Sequence, residues 1–195
     1  MSPVFSCRAR IDAYDNRVRS RTLDNNTEAT NQCLLPITRA DYARYRGANA
    51  VHRCVLHLTS FIPLEWKKIP LLSGGFRWQR FREWFRFGDT NPAVVLNVKS
   101  RLVAAYTDLD ATDGKNPHYV VKIFRERLEL LGLPALPGDR FAAVSLYQGG
   151  AHSKASGRWE DFFPVVVDCV TGDTHTCEFV RARIPDSHWK ALEIG

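Results

Sequence analysis

His152, Ser153, Ser156, Glu160 and Asp161 crowd one stretch of the chain, with Tyr147-Gln148-Gly149-Gly150 just ahead of it. Ser, His and Asp are the types from which a nucleophile, its base and the group that orients the base are built. No G-x-S-x-G elbow holds them here, and adjacent Glu160 and Asp161 point to opposite faces of an extended chain, which excludes a paired-carboxylate mechanism. Cys169, His175 and Cys177 fall within nine residues, and His52, Cys54 and His57 within six. Neither set has C-x-x-C or H-x-x-x-H spacing, and on a helix His52 and His57 stand about 140° apart. Asp108, Asp110 and Asp113-Gly114 begin like a calcium loop, but the glycine comes one place late and Tyr119 stands where a bidentate Glu would close the site. A solvated hairpin turn is the reading these residues support. Gly74-Gly75 and Gly149-Gly150 lack the spacing of a phosphate cradle. The expectation is no catalytic residue, no metal and no cofactor.

The segment Phe76 to Phe87 (FRWQRFREWFRF) interleaves rings with arginines. At about 100° per residue its six aromatics spread over half a helical wheel. Such a segment suits base stacking with phosphate contacts, or a lipid interface. It equally suits a core helix whose arginine stems reach out to solvent. Arg and Trp are enriched in binding hot spots, so the contact candidates are Trp78, Arg80, Arg82, Trp84 and Arg86 here, and His152, Arg158 and Trp159 in the later loop.

These residues are positioned by elements of two kinds. Thr38 reads as the N-cap of a helix over 39–46, and Val51, Val55, Leu58 and Ile62 recur at helical spacing before Pro63. Gly88-Asp89-Thr90-Asn91-Pro92 reads as a turn cluster. After it the period becomes that of strands, over 93–98, 102–107, 119–124, 141–147 and 163–170, with Pro164 placing the last at a sheet edge or marking the first residues of a strand. Asp173 or Thr174 and Asp186 or Ser187 read as N-caps of two short closing helices. The fold class expected is α+β: a basic, mostly helical region over 1–84, packed on a C-terminal antiparallel sheet or small open β-barrel of about five strands over 85–195.

Composition is that of a globular protein, with 45% hydrophobic and 25% charged residues among 195. The 27 basic and 21 acidic side chains give +6, concentrated before residue 90. Five cysteines without a C-x-x-C pair read as free thiols in a reducing compartment, so the protein is expected in the cytoplasm, at most peripheral to a membrane. The longest apolar run, 54–64, falls well short of the roughly 18 residues that span a bilayer.

Five blocks arrive in order along the C-terminal half: Phe87-Gly88-Asp89-Thr90-Asn91-Pro92, Val103 to Leu109 (VAAYTDL), Gly138-Asp139-Arg140 leading to Leu146-Tyr147-Gln148-Gly149, Trp159 to Pro164 (WEDFFP), and Ile184 to Trp189 (IPDSHW). In these the sequence resembles an uncharacterised bacterial family, a domain of unknown function that in some members follows membrane-spanning helices. The resemblance covers about residues 85–193 and implies a domain boundary near 85. A His often precedes the Trp of the fourth block in that family, where this chain has Arg158. The resemblance implies no activity. The function expected is a non-enzymatic protein-interaction or accessory domain. The alternative is peripheral binding to anionic membrane or nucleic acid through 76–87, and a third reading is a small hydrolase using the 147–161 loop.

Overall fold

A computed structural model describes residues 32–47, 73–112, 115–149 and 153–194. Helix α1 (Arg39–Arg46) is capped by the Thr38 its sequence announces, and Asp41 completes a capping box: Thr38 Oγ1 accepts from Asp41 N (3.2 Å), Asp41 Oδ2 accepts from Thr38 N (2.8 Å), and Gly47 ends the helix in the left-handed region. Helix α2 (Ser73–Phe87) has Trp78, Phe81 and Phe85 on one face, all buried. It stops at Gly88, whose N–H reaches Trp84 O at 2.7 Å. A Cβ at position 88 would lie 2.5 Å from that carbonyl and 2.7 Å from Val144 Cγ1, so only glycine lets the chain turn this tightly against the sheet.

The strands are β1 (Asp89–Asn97), β2 (Leu102–Asp108), β3 (Tyr119–Arg125), β4 (Arg140–Gln148) and β5 (Asp161–Val166). They form one antiparallel sheet in the order β3-β2-β1-β4-β5, a Greek key with β5 added beyond β4. Short helices α3 (Ser153–Ser156) and α4 (Val167–Val170) flank β5, and α5 (Thr174–Ala182) and α6 (Asp186–Ile194) close the chain. The α+β class and the five-stranded antiparallel sheet of the C-terminal part are thus as expected.

Two local readings need correction. Asp89 to Pro92 is strand, because Gly88 alone makes the turn and these residues pair with Ser145 to Ala142 of β4. Pro92 is tolerated in a central strand because the β1 ladder to β2 begins one residue later, at Ala93. The strand expected over 163–170 ends at Val166, after which the chain coils into α4. The helical spacing of Val51 to Ile62 lies outside the described residues.

The sheet is curled and carries a core on each face. Ala93, Val95, Val103, Ala105, Ala143, Phe162 and Val166 fill the concave side. On the convex side Ala104, Tyr106, Ala142, Val144 and Val165 meet Tyr42 of α1, Trp78, Phe81 and Phe85 of α2, Val180 of α5 and Trp189 of α6. The boundary expected near residue 85 falls in the last turn of α2, which runs into β1 through one residue.

Candidate interaction site

The sequence blocks converge at one end of the concave face. Asp89 and Asn91 of β1, Thr107 of β2 and Ser145 and Tyr147 of β4 alternate inward there. Tyr147 donates its hydroxyl proton to Asp89 Oδ2 (2.7 Å), and its oxygen lies 2.6 Å from Thr107 Oγ1. Trp159 stacks on the Tyr147 ring, centroids 5.9 Å apart. A clasp brings Trp159 there: Ala111 N donates to Gly157 O and Trp159 N to Leu109 O, both at 2.9 Å. Gly157 has φ +64, and a Cβ on it would stand 2.5 Å from Thr112 Cγ2, so the clasp requires glycine. Asp89, Thr107 and Tyr147 each belong to a sequence block, but no motif rule marks strands that only meet in the folded sheet.

The clasp curls the two edge strands, β3 and β5, toward each other. In an alternating five-stranded sheet these edges run parallel, and side chains join them. Lys122 of β3 donates to Asp161 Oδ1 and Phe162 O of β5, both at 2.7 Å, and its ammonium lies 4.7 Å from the Phe163 ring centroid. Four residues along β3's direction, Glu126 Oε2 accepts from Val166 N at 2.9 Å. Glu126 Oε1 accepts from Arg127 N (2.7 Å) and from the Tyr45 hydroxyl of α1 (3.2 Å), while Arg127 donates to Tyr45 O. Burial raises the Glu126 carboxyl above its ordinary range, against the opposing effect of the two backbone N–H groups and the hydroxyl.

Beside this seam the outer face of β3 is not covered by any of the described residues. Tyr119 is 63% exposed, Val121 37% and Ile123 59%, and across the seam Phe163 is 43% exposed. Strand β3 is apolar on both faces while lying at a sheet edge, with Lys122 turned inward.

The residues singled out from sequence separate into two places. Trp78 (5% exposed) is inside the convex core, and Trp84 is half-buried with Nε1 donating to Val144 O (3.2 Å). The side chain of Arg80 lies outside the described residues, Arg82 is exposed and paired with Glu83 (3.1 Å), and Arg86 is exposed. Trp159, 2% exposed, packs in the concave core, and Arg158 donates to Asn116 Oδ1 (3.5 Å) at the clasp. His152 lies outside the described residues. Trp78 and Trp159 are thus packed inside, whereas the rings of Tyr119 and Phe163 lie exposed.

The other candidate groups are engaged locally. Asp108 Oδ1 accepts from Asp110 N (2.9 Å) and His118 N (2.7 Å), and Asp110 Oδ1 from Thr112 N (2.8 Å), the self-bonding of an Asx turn. Among the described residues no group of three or more His, Cys, Asp or Glu is placed to hold a metal. Cys33, Cys169 and Cys177 are buried free thiols, and burial pushes Cys33 and Cys177 each up to about 12, which makes both poor nucleophiles. A cleft of ≈ 610 Å³ between residues 131–141 and α5 has Arg181 paired with Asp168 (2.9 Å) and held over the Phe141 ring. No helix among the described residues is long and apolar enough to cross a membrane.

A family model described as Protein of unknown function (DUF3239) matches residues 77–195. No curated protein matches the chain. Among solved structures the chain is similar to one described as "a putative membrane protein from Corynebacterium diphtheriae", at 21% identity over 53% of this chain and 84% of that chain, with a TM-score of 0.43.

Proposed function

The chain belongs to the DUF3239 family of proteins of unknown function, and from that premise we propose that it is a non-enzymatic interaction domain whose contact surface is the outer side of the β3–β5 seam. One observation carries this reading: Tyr119, Val121 and Ile123 alternate along the uncovered face of an edge strand, and Phe163 continues the apolar surface across the seam. Single exposed apolar residues are ordinary, whereas a continuous row of them marks a surface built to be covered. Its rings sit beside Lys122 and Arg125, the mixture of aromatic and basic groups that anchors protein interfaces. The buried network of Asp89, Thr107 and Tyr147 gives this end of the sheet the rigidity that a binding platform needs.

The alternative through α2 has less support, since Trp78, Phe81 and Phe85 are buried, and among the described side chains of α2 the exposed charges are those of Arg82 and Arg86. The three buried free thiols suit a reducing compartment, so the proposed location is the cytoplasm, at most peripheral to a membrane.

The test is photo-crosslinking of the full chain in its own cells, with p-benzoylphenylalanine at Ile123 and, separately, at Arg82. A discrete protein adduct from position 123 and none from position 82 is the expected result. Adducts from position 82 alone would refute the reading.

A further inference from the structure

We infer that Leu34, Arg86, Phe179 and Arg183 form a second contact surface, which takes an acidic segment of a partner protein with an apolar residue among its carboxylates. The surface shares no residue with the β3–β5 seam, so the two stand or fall separately.

Leu34 is held in a strained conformation that its side chain does not use inside the fold. Residues 33–35 cross the end of α2: Cys33 N donates to Gly88 O (3.0 Å), Leu34 N to Arg86 O (3.1 Å) and Leu35 N to Phe85 O (3.0 Å). The bonds satisfy carbonyls that a helix end leaves open, and they fix the backbone of this segment. Cys33 and Leu35 are buried in the convex core, while Leu34 between them is turned outward and more than half exposed. Its φ is +55, in the left-handed region, where glycine and asparagine fit easily and a leucine is strained. Burial does not compensate that strain. Backbone strain held in place by its surroundings is characteristic of positions whose side chain serves a contact.

The neighbours of Leu34 are basic and apolar. Arg183 donates from Nη1 to Cys33 O (3.5 Å), and its guanidinium carbon lies 5.7 Å from the centroid of the Phe179 ring, one turn back on the same chain segment. Phe179 is also more than half exposed. Arg86, whose carbonyl holds Leu34 N, is exposed at the end of α2. Nearby arginines are neutralised, Arg82 by Glu83 and Arg181 by Asp168. Among the described residues no carboxylate pairs with Arg86 or Arg183.

Charge decides the occupant. Two uncompensated guanidinium groups beside Leu34 and Phe179 are complementary to a segment that carries carboxylates around an apolar side chain. Arginine and aromatic rings are the types that anchor protein partners. Stacked bases fit less well, because Arg183 already lies over the Phe179 ring and Leu34 has no flat face to offer. A bilayer is met by one broad apolar helix face, whereas Leu34 and Phe179 come from separate elements.

The experiment places p-benzoylphenylalanine at Phe179 in the full chain, in its own cells, and compares Leu34→Asn and Arg86→Glu with the natural residues. Asparagine accepts the left-handed backbone, so Leu34→Asn should melt no lower than the natural protein while the protein adduct falls about tenfold. Arg86→Glu, at an exposed position, should lower the adduct as far without lowering the melting temperature. Fragment mapping should place the crosslink beside Asp or Glu of the partner. An adduct that persists in both variants overturns the inference, as does a partner segment without acidic residues, or no adduct at all. A Leu34→Asn protein that melts lower overturns it too, because the leucine would then be serving the fold. A crosslink confined within the chain assigns the surface to the chain's own residues instead. Co-sedimentation with phosphatidylglycerol vesicles that Leu34→Asn abolishes assigns it to a bilayer, and either result overturns the protein partner.

Discussion

The hydroxyl of Tyr147 on β4 lies 2.7 Å from a carboxylate oxygen of Asp89 on β1, and the Thr107 hydroxyl of β2 approaches the same phenol at 2.6 Å. Three strands are thereby tied at one end of the curled sheet, in a setting where Asp89 is buried. Tyr147→Phe removes a donor from a buried carboxylate, and should cost about 1–3 kcal/mol in urea unfolding. Thr107→Val should cost less, because the bond between Tyr147 and Asp89 survives. Equal losses would show that the two bonds do not act in the hierarchy the geometry implies.

Gly88 joins α2 to β1 where a side chain has no room. Gly88→Ala should destabilise by about 1–3 kcal/mol as the helix end moves off Val144. Gly132→Ala, at a position with nothing within 4 Å of the added methyl, should stay within about 0.5 kcal/mol. Thermal denaturation of the two variants side by side makes the comparison.

Burial lifts the Glu126 carboxyl above its ordinary value of 4.5, so the folded chain holds this proton more tightly than the unfolded chain does. The stability contributed by the group therefore falls as pH rises from that value through the raised one. Glu126→Gln does not titrate and offers a single acceptor to three donors, so it should be less stable than the natural protein throughout. The deficit should be larger near about pH 4 than near about pH 7. A deficit that grows with pH would mean that the carboxylate is favoured in place.

Trp78 and Arg82 lie one helical turn apart on α2 and should behave oppositely. Trp78→Ala should cost about 3–5 kcal/mol, as for a large ring removed from a core. Arg82→Ala should change stability by no more than about 0.5 kcal/mol, since its ion pair with Glu83 is exposed. Chemical denaturation curves separate a packing role from a surface role directly.

Much of the architecture was legible locally. Thr38 announces α1 and Asp173 announces α5, because each acts through bonds within a few residues of itself, and Pro164 is consistent with the edge position of β5. The turn expected over Gly88 to Pro92 misled because turn-forming types were counted together, when one glycine under steric pressure from Val144 suffices and Pro92 precedes its ladder to β2. The rings of 76–87 were ambiguous for another reason: periodicity reports that a face is apolar, and the convex sheet that covers it is assembled from strands far along the chain. The interaction site was the least visible part. The seam between β3 and β5 follows from strand order, and no local pattern around Tyr119 to Arg125 encodes it.

Site-resolved amide hydrogen exchange of the free protein tests the side-chain seam between β3 and β5 most directly. Amides of Val120, Lys122 and Phe124, which address β2, should exchange at least about tenfold more slowly than those of Val121, Ile123 and Arg125. Alternation with that phase is the predicted result. Uniform protection along β3 would mean that its outer edge is already paired, and would contradict the account.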